Sequence, residues 1–223
     1  MNLKLTAWLL IHAAVLANVA FTALGSIFNY PDVLDEPAGE VLASFRDHQG
    51  AVSAWFTVLA LSAALLAPVA IGVGRLSASR AMRIAVRVGI AAAAVQVIGL
   101  MRWPILVPGY AADGDTGAFT TAGDVLGTAI GETLGYLLTA TWTALVIVAL
   151  WRGLAGRWFS VLGLASAALV LVGVLSPLDL PVVDTANFFG YVLWSLWLIA
   201  FGVVVLVRER RGATSPSPAA VTS

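Results

Sequence analysis

The stretch Gly127-Thr-Ala-Ile-Gly-Glu-Thr-Leu-Gly-Tyr-Leu-Leu-Thr139, continued by Ala-Thr-Trp-Thr143, decides the fold because it sets a carboxylate, Glu132, inside an apolar run. That run extends from Val125 to Leu150, longer than the roughly 20 residues a helix needs to cross a bilayer. On a helix, Gly127, Gly131 and Gly135 form one smooth ridge suited to close packing. Thr128, Glu132, Tyr136, Thr139 and Thr143 form a polar stripe beside it. A glutamate at membrane depth is costly unless it is paired or faces a water-filled cavity, which makes Glu132 a functional candidate.

Working outward, five further apolar runs recur at similar length, so the predicted fold is all-α: a polytopic membrane bundle of six transmembrane helices. The expected spans are 5–28, 51–74, 84–107, 125–150, 159–175 and 186–207, followed by a disordered tail over 208–223. The first run exceeds the core of a signal peptide and reads as a retained span. The chain of 223 residues is 60% hydrophobic and 11% charged, with a mean hydropathy of +0.95, which places it outside the soluble globular range. Cysteine is absent, which excludes disulfides and thiolate metal sites. No basic patch interleaved with aromatics points to nucleic acid.

The net charge of zero conceals segregation. Lys4, Arg75, Arg80, Arg83, Arg87, Arg152, Arg157, Arg208, Arg210 and Arg211 fall on one side of a six-span arrangement, and the aspartate-bearing loops fall on the other. The positive-inside rule makes the basic side cytoplasmic, so both termini are expected inside, in a bacterial inner membrane. Between the spans, Asp35-Glu36-Pro37 predicts an N-cap for a short interfacial helix with Val41, Leu42 and Phe45 on one face, and Pro108–Asp124 reads as a helix-breaking loop. Pro68 is expected to kink the second span. Leu178–Thr185 reads as a short acidic link carrying Asp179 and Asp184.

Arg102 lies about 9 Å below Pro108 and Glu132 about 12 Å below the end of its own span, so the two are expected to pair at one depth. Asn18, Thr22 and Ser26, Thr57, and Asn187, Tyr191 and Ser195 occupy the same outer halves, which predicts a small vestibule open to the outside. The candidate ligand-binding residues are therefore Arg102, Trp103, Glu132, Tyr136, Asn18, Asn187 and Tyr191. Gln96 is expected to bond another span outside the site. His12 and His48 are too far apart to share a metal ion, and His12 reads as a satisfied core histidine; no metal or cofactor is expected. The tryptophans mostly mark interfaces, with Trp103 at one of them and Trp142 and Trp194 deeper. No hydrolase, nucleotide or zinc-protease motif is present.

The segments Gln96-Val-Ile-Gly-Leu-Met-Arg102-Trp-Pro-Ile-Leu-Val-Pro108 and Gly131-Glu-Thr-Leu-Gly-Tyr-Leu-Leu-Thr-Ala-Thr-Trp142-Thr resemble a bacterial multi-pass membrane family catalogued as domain of unknown function number 4386. The resemblance implies importance for Arg102, Trp103, Glu132 and Tyr136. Members typically carry histidine directly after the motif glutamate, where this chain has Thr133. Three function classes follow: a non-enzymatic protein whose outward-facing site binds or passes a small polar or lipid-like ligand; an accessory subunit or homo-oligomer packing through Gly127, Gly131 and Gly135; and an intramembrane enzyme with Glu132 as general base. Membrane lipids are the expected surroundings in all three.

The absence of native cysteine allows a direct test of orientation. A single cysteine at Asp113 should react with an impermeant maleimide in intact cells, and one at Ser79 only after permeabilisation; the reverse pattern contradicts the assigned orientation.

Overall fold

The computed structural model describes residues 2–151, 153–178 and 180–213. Among these every element is helical: α1 (Leu3–Phe28), a 3₁₀ turn (Asp32–Asp35), α2 (Ala38–Asp47), α3 (Gln49–Ala64), α4 (Leu66–Val73), a 3₁₀ turn (Gly74–Leu76), α5 (Arg80–Ile105), α6 (Val107–Asp113), α7 (Thr116–Ala122), a π-helical segment (Gly123–Leu134), α8 (Gly135–Leu150), α9 (Arg157–Val172), a 3₁₀ segment (Gly173–Leu178) and α10 (Pro181–Ala213). Six helical stretches are long and apolar enough to cross a membrane: Leu3–Phe28, Gln49–Leu76, Arg80–Asp113, Thr116–Leu150, Arg157–Leu178 and Val182–Arg211. Each expected span lies inside one of them.

The spans pack in chain order around a ring. The first meets the second, each later span meets its predecessor, and α10 closes the ring against α1. Leu3 and Arg208 line one cavity, so both ends of the described chain lie together at the basic end. Two buried clusters fill the ring. The one toward the basic end is built on Trp142, Trp197, Phe159 and Phe201; the other, toward the acidic end, is built on Phe28, Phe45, Phe56 and Trp103.

Local chemistry accounts for the breaks. Pro68 cannot donate a backbone hydrogen bond to Ala64, and the second span is interrupted there, between α3 and α4. Ser79 caps α5 by accepting from the Met82 amide at 3.2 Å. Asn29, in the left-handed region at φ 52°, ends α1.

Several expectations are corrected. Residues 108–124 are not an open loop: α6 and α7 extend the spans, and only Gly114, at φ 68°, turns the chain between them. Asp115 caps α7 by accepting from the Ala118 amide at 2.9 Å. Asp35 does not cap α2, whose N-cap is Pro37 without a side-chain bond. The Val41, Leu42 and Phe45 face of α2 is buried against the bundle rather than laid on a bilayer surface. The expected acidic link is mostly helical, since α10 starts at Pro181 and Asp184 sits in its first turn. Arg208–Arg211 continue α10 to Ala213, and the expected disorder of 214–223, like Arg152 and Asp179, lies outside the described residues.

Trp103 does not face out of the bundle. It is fully buried, stacked on Phe56 at 4.7 Å and 4°, and edge-on to Phe28 at 5.3 Å. Its cover comes from α2 and α7, through Phe45 and Phe119. Arg46 ties this cap down by donating to the Ala111 carbonyl at 3.0 Å. Trp8, Trp151 and Trp158 do lie on the outer surface. The consequence is asymmetric: Trp103→Ala should cost about 3–5 kcal/mol in a denaturant titration in detergent, while Trp8→Ala should cost well under that.

Candidate functional site

The glycine ridge of the fourth span packs inside this chain, on α5. A Cβ placed on Gly131 would lie 3.0 Å from the Gly99 Cα, and one on Gly99 would lie 2.6 Å from the Gly131 Cα. Real Cβ atoms do not approach that closely, so the two backbones touch only because both residues are glycine. On one side of this crossing, a Cβ on Gly127 would meet the Arg102 guanidinium at 2.7 Å; on the other, one on Gly135 would meet the Gln96 side chain at 3.1 Å. Gln96, Gly99 and Arg102, spaced three apart, therefore oppose Gly135, Gly131 and Gly127 in antiparallel order. The ridge is thus occupied within the chain.

The helix carrying Gly127, Gly131 and Glu132 is not α-helical. Gly123–Leu134 is a π-helix of 12 residues. Most π-helical pieces are single turns inside α-helices and frequently mark functional sites, so a run of this length is unusual. The wider turn still brings residues four apart close to one face, and ridge and polar stripe both persist.

Arg102 is 9% exposed, and its Nη1 donates to the Gly99 carbonyl at 2.8 Å. The guanidinium lies 5.4 Å from the Trp103 ring centroid. The expected ion pair is not closed: among the described residues no carboxylate lies within 4.0 Å of Arg102. The guanidinium lies instead in the slot left by the missing side chain of Gly127. Glu132 stays half-buried, within electrostatic reach of Arg102 and Asp184. Its charge also reaches Tyr30, Tyr136 and Tyr191. Four spans, or the turn just beyond one, thus contribute polar groups to one neighbourhood.

Tyr136 and Tyr191 meet edge-on with centroids 5.7 Å apart. Asn187 is buried, donates from Nδ2 to the Val170 carbonyl at 2.9 Å, and presses with Tyr136 on the space that a side chain at Gly173 would fill. Gln96 is not outside the site but at its inner edge, donating to Thr139 Oγ1 at 2.8 Å. The fourth span follows the row of α5 residues spaced by three, on which Gln96, Gly99 and Arg102 lie. Deeper still, Trp194 Nε1 donates to Thr143 Oγ1 at 2.8 Å and packs edge-on against Trp142.

Asn18 stands apart. It is exposed on the bundle surface and donates to the Ala14 carbonyl of its own helix at 2.7 Å. Thr22 and Ser26 are exposed too, and Ser26 bonds back to the Thr22 carbonyl. The first span's polar stripe therefore satisfies its own backbone and does not line a vestibule. His12 is likewise exposed, bonded through Nδ1 to the Trp8 carbonyl at 2.7 Å, and is not a core histidine.

Sequence reasoning missed Tyr30 and Asp184. Tyr30 lies just beyond α1, and its ring packs edge-on against Phe21, Phe56 and Trp103. Asp184 accepts from Ser176 Oγ at 2.9 Å. The aspartate was visible as a charge next to a span; nothing in the sequence pattern singles out the tyrosine.

A ring of six hydrophobic helices with charged groups held between them defines a polytopic integral membrane protein. The domain of unknown function DUF4386 matches residues 5–202, and the chain belongs to that family. No curated protein and no solved structure matches it.

Burial pushes the Tyr30 phenol up to about 12; the Glu132 carboxylate adds to the rise and Arg102 opposes it. A raised phenol pKa adds stability below the ordinary value of 10, and that stability is lost as pH rises toward the folded value. Between about pH 10 and 12 the protein should therefore lose stability, and Tyr30→Phe should flatten that loss in a denaturation series run across this range.

Proposed function

We propose that the polar neighbourhood of Arg102 and Glu132 binds or passes a small polar or lipid-like ligand through an anionic group. The observation that carries the reading is the open pair: a buried guanidinium meets a carbonyl and a glycine slot, with no carboxylate in contact among the described residues, while Glu132 stays half-buried. A structural staple would be expected to close, because an uncompensated buried charge is costly. An anionic group delivered to Arg102, with Glu132, Tyr136 and Tyr191 beside it, supplies what the described residues do not. The π-helical segment supports the same reading, since such segments concentrate at functional sites.

In this proposal the protein resides in a bacterial inner membrane with both termini in the cytoplasm. The support is the gathering of Lys and Arg at one end of the bundle. The site then lies in the half of the membrane nearer the outside.

The test is thermal stability of the purified full chain in detergent with acetate, inorganic phosphate and phosphorylcholine as probes. A probe at about a hundred times its Kd should stabilise by about 2.7 kcal/mol. At least one of the three should raise the melting temperature of the parent and of Asn18→Ala, and should fail to do so in Arg102→Met. Absence of any shift, or an equal shift in Arg102→Met, contradicts the proposal.

A further inference from the structure

Three side-chain amides lie deep within the spans among the described residues, and two of them bond a neighbouring helix: Gln96 donates to Thr139, and Asn187 to the Val170 carbonyl. Asn18 is the third, and it is exposed on the bundle surface. One of its N–H groups bonds the Ala14 carbonyl of its own helix, which leaves the second N–H and the carboxamide oxygen without a partner among the described residues. Depth makes this costly. α1 is about 39 Å long and the hydrocarbon of a bilayer about 30 Å thick, so however the excess is shared, Asn18, about 15 Å from Phe28, lies about 6 Å or more inside. Its short side chain does not reach water from there. An amide facing lipid at that depth carries the cost of its missing hydrogen bonds. Asn18, Thr22 and Ser26 also recur every four residues, forming one exposed ridge of polar and small side chains with the exposed Val15 and Val19 beside it.

We propose that this ridge is an interface with a second copy of the chain, the two α1 helices crossing about a two-fold axis at Asn18. A carboxamide carries both a donor and an acceptor, so it is its own complement, and a two-fold axis lets the two copies exchange a pair of N–H···O=C bonds. Lipid tails or a wholly apolar helix would leave the same groups unpaired. Two copies inserted in the same sense are related by an axis along the membrane normal, so their α1 helices run parallel and residues of equal depth meet their own counterparts. Small residues every four positions permit a close crossing. Polar groups across it supply directional contacts in lipid, where no hydrophobic effect draws helices together. This interface lies apart from Arg102 and Glu132, and neither proposal depends on the other.

Because the chain has no cysteine, single cysteines report the contact in the membrane itself. Under a copper–phenanthroline oxidant, Thr22→Cys and Ser26→Cys should each form a covalent dimer of the full chain, while Ile98→Cys on α5 and Val203→Cys on α10, both exposed positions, should stay monomeric. The second reading is the dimer dissociation constant in liposomes, from single-molecule photobleaching across a series of protein-to-lipid ratios. Asn18→Leu should raise that constant about tenfold or more, since both reciprocal bonds between spans are lost. Thr141→Val, which removes a hydroxyl bonded to its own helix, should leave it within about twofold. Asn18→Leu should keep the helicity of the parent; if it fails to fold, the cysteine series still decides. A monomeric parent in liposomes, cross-linking at Ile98 or Val203 equal to that at Thr22, or an Asn18→Leu dimer as tight as the parent would overturn the proposal.

Discussion

Two backbones in contact at Gly99 and Gly131 set the geometry of the acidic half of this protein. At this crossing a Cβ on either residue would run into the backbone of the facing helix, as it would at Gly190 against Val170 and at Gly202 against Ala7. Arg102 and Glu132 lie about that point. Arg102 bonds the carbonyl of Gly99 and occupies the slot of Gly127, and Glu132 follows Gly131 directly on the π-helical segment. Close approach in a membrane is driven by van der Waals packing and polar contacts rather than by the hydrophobic effect, and small residues make it feasible.

Above the crossing lies an aromatic lid. Phe28, Phe45, Phe56 and Phe119 enclose Trp103, and α2 is pinned by Arg46 to the end of α6. Below it, Trp142, Trp194 and Trp197 fill the ring. The polar neighbourhood of Glu132 is thus held between two aromatic layers, which lowers the local dielectric and strengthens each charge's effect on its neighbours. Asparagine and tyrosine side chains from the sixth span complete it, and the exposed polar stripe of the first span takes no part.

The six spans were legible in the sequence because length and hydropathy over some twenty residues are a strong signal, and the alternation of basic and acidic loops reinforces it. The glycine ridge was legible as a packing face, although its partner was not, since spacing alone cannot distinguish a neighbour within the chain from one outside it. The π-helical segment left no readable trace: residues four apart stay near one face in either kind of helix. Counting residues brought Arg102 and Glu132 into one neighbourhood, but the guanidinium lies in the slot at Gly127, which only three-dimensional packing reveals. Trp103 misled for a related reason. A tryptophan beside proline at the end of a span reads as an interfacial anchor until α2 and α7 fold over it. Residues 108–124 misled because Gly and Asp signal breaks, whereas here Gly114 and Asp115 terminate one helix and cap the next.

The central claim is that the crossing at Gly99 requires glycine for contact, not for flexibility. Chemical denaturation of Gly99→Ala beside Gly109→Ala tests it directly, because Gly109 is also helical but has nothing within 4 Å of its absent Cβ. Gly99→Ala should lose about 1–3 kcal/mol through overpacking, and Gly109→Ala should be neutral or gain up to about 1 kcal/mol from helix propensity. Equal behaviour of the two variants would contradict the account.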